Sequence, residues 1–192
     1  MISKLREETT QLHREIEKDN LAGLIINHSI TLDQYKTLLL QNYISYKVVE
    51  NSILPFLKDF DTNKSDQLLK DLHSLNVDPL ILREFEDAIA CNNRVEALGS
   101  AYVLEGSVLG GMMIAKELKE CKELAEIKTH NFFNGNRSNV SGWKKFLKML
   151  KSEEFSEGEK MQAANKAKET FKFFGDVFSN VSINNINSQQ KL

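Results

Sequence analysis

Punctuation is scarce in this chain. Only two of its 192 residues are proline, Pro55 and Pro79. Proline ends helices by removing an amide donor and crowding the preceding turn, so long helices meet few interruptions here. Cysteine is equally rare. Cys91 and Cys121 are too few and too far apart for a disulfide framework, and a reducing, cytoplasmic compartment is the simpler expectation. Excess charge is missing too: the formal net charge is -2. That leaves no basic footprint for nucleic acid. No apolar run approaches the roughly 20 residues of a membrane span, so no membrane partner is expected. Met1 to Gln11 is polar and amphipathic rather than a secretory leader. Alternating apolar and polar runs are absent, which argues against a sheet, and no repeat period emerges.

What is present is an ordinary balance, 41% hydrophobic and 27% charged. A chain of this length buries a core without disulfides. The expected fold is all-α, one helical domain over residues 1–180, followed by a polar tail, 181–192, expected to be disordered.

The helical periods are readable. Leu5, Thr9, Leu12, His13 and Ile16 recur at spacings of three and four. Gly23 sits in a short segment, 21–27. Thr31 with Gln34 makes a capping box opening a helix that runs to about Leu54, before Pro55. A short helix is expected near 66–75, and another from a cap at Asp78, through Pro79, to about Cys91. The longest periodic segment runs from Arg94 to about Lys122. A loop rich in Asn, Gly and Ser spans 129–142, and helices follow near 143–151 and 158–179.

Four features carry possible chemistry. On the first helix, Arg6, Thr9, His13 and Glu17 share a face, because residues four apart are neighbours. A carboxylate that holds one ring nitrogen makes the other a better-oriented metal ligand. No second histidine or cysteine stands at metal-ligand spacing, so a zinc site on this helix is not expected. A single axial imidazole suffices for heme iron. The second feature is the run YVLEGSVLGG, Tyr102 to Gly111. Gly106, Gly110 and Gly111 each cost about 1 kcal/mol of helix propensity relative to alanine. Two compensations stay open: another helix packing on bare backbone, or a flat ligand lying over it. A glycine-rich kink also bends. Neither a dinucleotide fingerprint nor a phosphate loop fits this run. The third feature is Lys144 and Lys148, four apart beside Trp143, a cationic pair or merely a solvated face. The fourth is Phe171, Phe173, Phe174 and Phe178, an aromatic stripe suited to a core or to a cofactor wall.

Together these features resemble the heme oxygenase family, particularly its short bacterial, biliverdin-producing, phytochrome-associated members. LREETTQLHREIE, Leu5 to Glu17, resembles the proximal helix, and His13 falls on the iron ligand. Arg6 falls on a basic position facing a heme propionate. YVLEGSVLGG resembles the glycine-rich distal helix, with Gly106 and Gly110 at its close-approach positions and Gly111 beside them. Lys144 and Lys148 match propionate-binding positions; Phe171 and Phe178 match pocket-lining aromatics. The resemblance covers about residues 5–180. One departure stands out: mammalian-type members place an aspartate where this chain has Ser107.

The resemblance implies heme as both substrate and cofactor, opened with dioxygen to biliverdin, iron and carbon monoxide. Gly106, Ser107 and Gly110 would form the reacting side. Electrons would come from a separate donor, a ferredoxin or flavin reductase, since no flavin or nicotinamide motif is present. A heme carrier or chaperone without ring-opening activity is the alternative reading. A di-iron site is a further rival; Glu50, His73, Glu84 and Glu105 are available but form no paired Glu-x-x-His pattern.

Overall fold

The computed structural model describes residues 1–58, 60, 63–79 and 85–183. Among the described residues there are eight α-helices and no strand: α1 (Ile2–Asp19), α2 (Ala22–Ile26), α3 (Leu32–Ile53), α4 (Lys64–Ser74), α5 (Arg94–Gly106), α6 (Val108–Glu117), α7 (Arg137–Ser152) and α8 (Glu157–Asn180). Two short 3-10 turns, Leu118–Glu120 and Lys122–Leu124, follow α6.

α3 is the central element. Every residue from Thr37 to Tyr46 is buried, the pattern of a helix enclosed on all sides. Its N-terminus is fixed by the expected box: Thr31 Oγ1 accepts from Gln34 N at 3.2 Å, and Gln34 Oε1 accepts from Thr31 N at 2.9 Å. The buried polar groups of α3 are put to use. Gln41 Nε2 donates to the carbonyls of Phe178 and Val181 at 2.9 and 2.8 Å. Thr37 Oγ1 accepts from Ile183 N at 3.1 Å. These bonds correct the expectation of a loose tail from residue 181. Val181 and Ile183 are buried, because central side chains satisfy their backbone. Residues 184–192 lie outside the described residues.

α8 packs along both α1 and α5. A capping box starts it, Ser156 with Glu159. Its contact with α5 is set by small residues. A Cβ built on Gly99 would lie 2.1 Å from the carbonyl oxygen of Ala163, and Ala163, Ala164 and Ala167 are fully buried. On the α1 side, Glu8 bridges two helices, accepting from Lys4 at 2.7 Å and from Lys168 of α8 at 2.9 Å. Those bonds, Lys4 first, hold the Glu8 carboxyl down to about 2, from an ordinary value near 4.5. A depressed carboxyl stabilises the fold above its unfolded-state value and loses that contribution as the pH falls through its folded-state value. Denaturation midpoints of the wild type should therefore approach those of a Glu8→Gln variant between about pH 4.5 and pH 2, with the gap reduced by salt. A gap independent of pH would contradict this.

Three sequence expectations need correction. The helix expected from Asp78 to Cys91 does not reach its end: residues 85–91 form a turn and extended chain, while 80–84 lie outside the described residues. Cys91 N is instead drawn to Ser52 Oγ of α3 at 2.8 Å, and Asn93 caps α5. α7 begins at Arg137, inside the segment read as loop. Helix propensity is a weak prior that tertiary packing overrides, and Ser141 and Gly142 line a cavity shared with α4 to α6. Finally, one helical stretch, Arg94–Glu120, is long and apolar enough to cross a membrane by length and composition, with mean hydropathy 1.3 in its most apolar window. The reason is that Glu105 is the only charge between residues 97 and 114. Half of that window is buried inside the protein.

The loop before α7 is pinned by Asp71 of α4. Its carboxylate accepts from Asn131 N and Nδ2, both at 2.7 Å, and from Phe132 N at 2.9 Å. Asp71→Ala leaves those donors unpaired in a buried place, which should cost about 3 kcal/mol. Urea unfolding measures the loss; a change below about 0.5 kcal/mol would show that the loop does not depend on this carboxylate.

Candidate functional site

His13 stands on α1 with its side chain 49% exposed. Its Nδ1 lies 3.4 Å from Glu17 Oε2, and its ring meets Phe171 of α8 edge-on at 5.8 Å. In the neutral imidazole, an Nδ1–H directed at Glu17 leaves the Nε2 lone pair for a ligand. The Thr9 hydroxyl, one turn before the ring, donates back to Leu5 O at 2.8 Å, and the residue is buried. Arg6 is exposed on the same helix.

The glycines divide by face. Gly106 and Gly110 share one side of the α5–α6 segment by their four-residue spacing. A Cβ on Gly106, Gly110 or Gly111 would meet nothing within 4 Å. Close helix packing is therefore not why these glycines are bare; that explanation belongs to Gly99, about two turns before Gly106. Leu109 and Met113 of the same segment are 60% and 56% exposed, an apolar surface with open space beside it.

Ser107 marks the break between α5 and α6. Tyr46 Oη of α3 donates to Ser107 Oγ at 2.5 Å, and Ser107 Oγ donates to Leu104 O at 2.8 Å. Burial pushes the Tyr46 phenol up, so it remains a donor. The same Leu104 carbonyl accepts from Lys64 Nζ of α4 at 2.6 Å. Lys64 also pairs with Glu105 at 2.9 Å, and burial lowers its ammonium from the ordinary lysine value. Glu50 lies deeper, bonded to Ser65, with its carboxyl pushed up by burial.

A cavity of about 580 Å³ backs onto this break. Lys64, Glu105, Ser107, Val108 and Gly111 line one wall, and Phe133, Lys145 and Phe146 lie on others. Its lining does not include His13, Phe171 or Phe178. Lys144 and Lys148 are exposed on α7, and it is Lys145 between them that reaches the cavity. Phe171 is buried against His13, whereas Phe178 is half-buried and touches Phe174. The structure thus joins His13, Glu17 and Phe171, and separately joins Ser107 to Tyr46 and Lys64. Tyr46 and Lys64 escaped the sequence reading. Tyr46 falls among the buried apolar positions of α3, and Lys64 lies 40 residues from its carbonyl partner.

Among the described residues no group of three or more His, Cys, Asp or Glu could hold a metal ion. Glu50 and Glu105 are committed to Ser65 and Lys64, and Glu84 lies outside the described residues.

The class the structure defines is an all-helical bundle with a half-exposed imidazole on its first helix and a bare, glycine-broken helix elsewhere. Comparison with known proteins narrows it. The family model for heme oxygenase matches residues 1–180, and the chain belongs to that family. A solved structure of heme oxygenase from Leptospira interrogans superposes with a TM-score of 0.68 at 16% sequence identity, covering 93% of this chain and 98% of that one; at this identity the likeness is one of fold. Comparison with curated protein sequences gives no match.

Proposed function

We propose that this protein opens the heme ring oxidatively, yielding biliverdin, iron and carbon monoxide from heme and dioxygen. The observation that carries the proposal is the empty space over Gly106 and Gly110. Three residues give up helix propensity with no helix packed against them, and a planar substrate gives that cost a reason.

His13 holds the substrate's iron through Nε2, with Nδ1 oriented by Glu17 and the ring braced by Phe171. Gly106 and Gly110 admit the substrate's other face close to the backbone, and Leu109 and Met113 supply apolar contact. Bound heme supplies the iron at which dioxygen is activated and the carbon that is attacked. Ser107 lacks the charge of a carboxylate. Its hydroxyl is already oriented by Tyr46 and Leu104, so it donates and accepts within a fixed geometry. The cavity behind it has room for water to carry protons toward that side. Arg6, Lys144 and Lys148 take the propionates at the substrate's edge, where arginine offers the bidentate contact. Electrons come from a separate protein donor, and the two free, buried cysteines suit a reducing cytoplasm.

The test is aerobic turnover of hemin with a reductant, with catalase present to remove free peroxide. Loss of the Soret band together with appearance of a bilin supports the enzyme. A heme complex that survives repeated reduction under air, with no bilin, would make the protein a carrier.

A further inference from the structure

We infer that Lys64 is a positioning residue that keeps the glycine-rich helix broken at Ser107, and so sets how α6 lies beside its ligand.

In an unbroken helix the carbonyl of Leu104 accepts from the N–H of Val108. A carbonyl oxygen has two lone pairs. Here two side chains take them: Lys64 Nζ at 2.6 Å and Ser107 Oγ at 2.8 Å. With both sites occupied, the Val108 amide has lost its helical acceptor, and α5 ends at Gly106 while α6 restarts at Val108. Glycine makes the bend tolerable, but a serine bond to its own helix and an inserted lysine create it.

Lys64 is held in place from several directions. Glu105 pairs with it, and the Tyr46 ring centroid lies 5.7 Å from its ammonium. It opens α4, one residue before Ser65, whose hydroxyl and amide bond the buried Glu50 of α3. The break in α5–α6 is thereby fixed to the α3–α4 pair. The neighbouring cavity, lined by Val108 and Gly111, gives α6 room to move when the lysine lets go. Packed elements shift between discrete arrangements where such room exists.

Hydrogen exchange in the protein without heme tests the claim directly. Lys64→Met alone strands the buried Glu105 charge, so the informative variant is K64M/E105L, with K64M/E105Q as a second form should the first fail to fold. Freed of the lysine, Leu104 O accepts from Val108 N–H, and exchange of the Val108 amide slows about tenfold. Lys64→Arg retains the donor and the wild-type rate. Glu105→Gln alone also keeps the wild-type rate, because the lysine–carbonyl bond survives. Unchanged or faster exchange at Val108 in both double variants would overturn the inference. Slowing in Glu105→Gln as large as in the double variants would overturn it as well, by assigning the effect to the ion pair.

The consequence for heme rests on the function proposed above; the helix break does not. With heme turnover, the double variant should change the proportions of bilin isomers while Lys64→Arg does not, and an unaltered pattern removes the steering role. A wild-type chain that binds no heme overturns the proposed function and leaves the exchange experiment to decide Lys64.

Discussion

Gly99→Ala should lower the melting temperature by about 10 °C or prevent folding altogether. The added Cβ would sit 2.1 Å from the Ala163 carbonyl oxygen and 2.9 Å from its carbon. Both are backbone atoms of α8, so no rotamer change relieves the clash and two helices must separate. Overpacking of this kind costs about 3 kcal/mol or more, which in a domain of this size is several degrees. Gly110→Ala is the matched control. Its Cβ meets open space, so the heme-free protein should gain up to about 1 kcal/mol from helix propensity while its affinity for heme falls. Thermal melts of the heme-free protein and heme titration of both variants separate the two roles. Equal destabilisation by the two substitutions would mean that the open space over Gly110 does not exist in solution.

His13→Ala should weaken heme binding by about 100-fold or more, a loss larger than removal of an outer hydrogen-bond partner brings. The ring-opening reaction should fall with it, and the iron–imidazole vibration of the ferrous complex should vanish. Imidazole added to the solution should restore the vibration, because the α1–α8 face around Phe171 remains in place. Glu17→Gln tests the orienting contact at 3.4 Å; it should lower the frequency of that vibration without removing it. An unchanged vibration in His13→Ala would assign the ligand elsewhere.

Much of the architecture is legible in the sequence itself. The Thr31 and Gln34 box, the α3 period and the glycine run all follow from local rules, since caps and helical faces depend on residues within four positions of one another. The Ser156 and Glu159 box that opens α8 is equally local. Less accessible was the start of α7, where Asn, Ser and Gly argue for loop and packing argues for helix. The single period from Arg94 to about Lys122 is realised as two helices, α5 and α6, divided at Ser107. Nothing nearby in the sequence announces that Lys64 bonds Leu104.

The glycines show where local information ends. Composition and spacing alone established an all-helical chain, a histidine one turn before a carboxylate, and a costly cluster at Gly106, Gly110 and Gly111. They left open whether the bare backbone met a helix or a ligand. Both answers occur in this protein, for different glycines: Gly99 meets Ala163, while Gly106 and Gly110 face open space. The absence of a side chain carries no record of what fills its place. That depends on which distant element arrives there, and only the packing of α8 against α5, with open space left at Gly106 and Gly110 among the described residues, decides it.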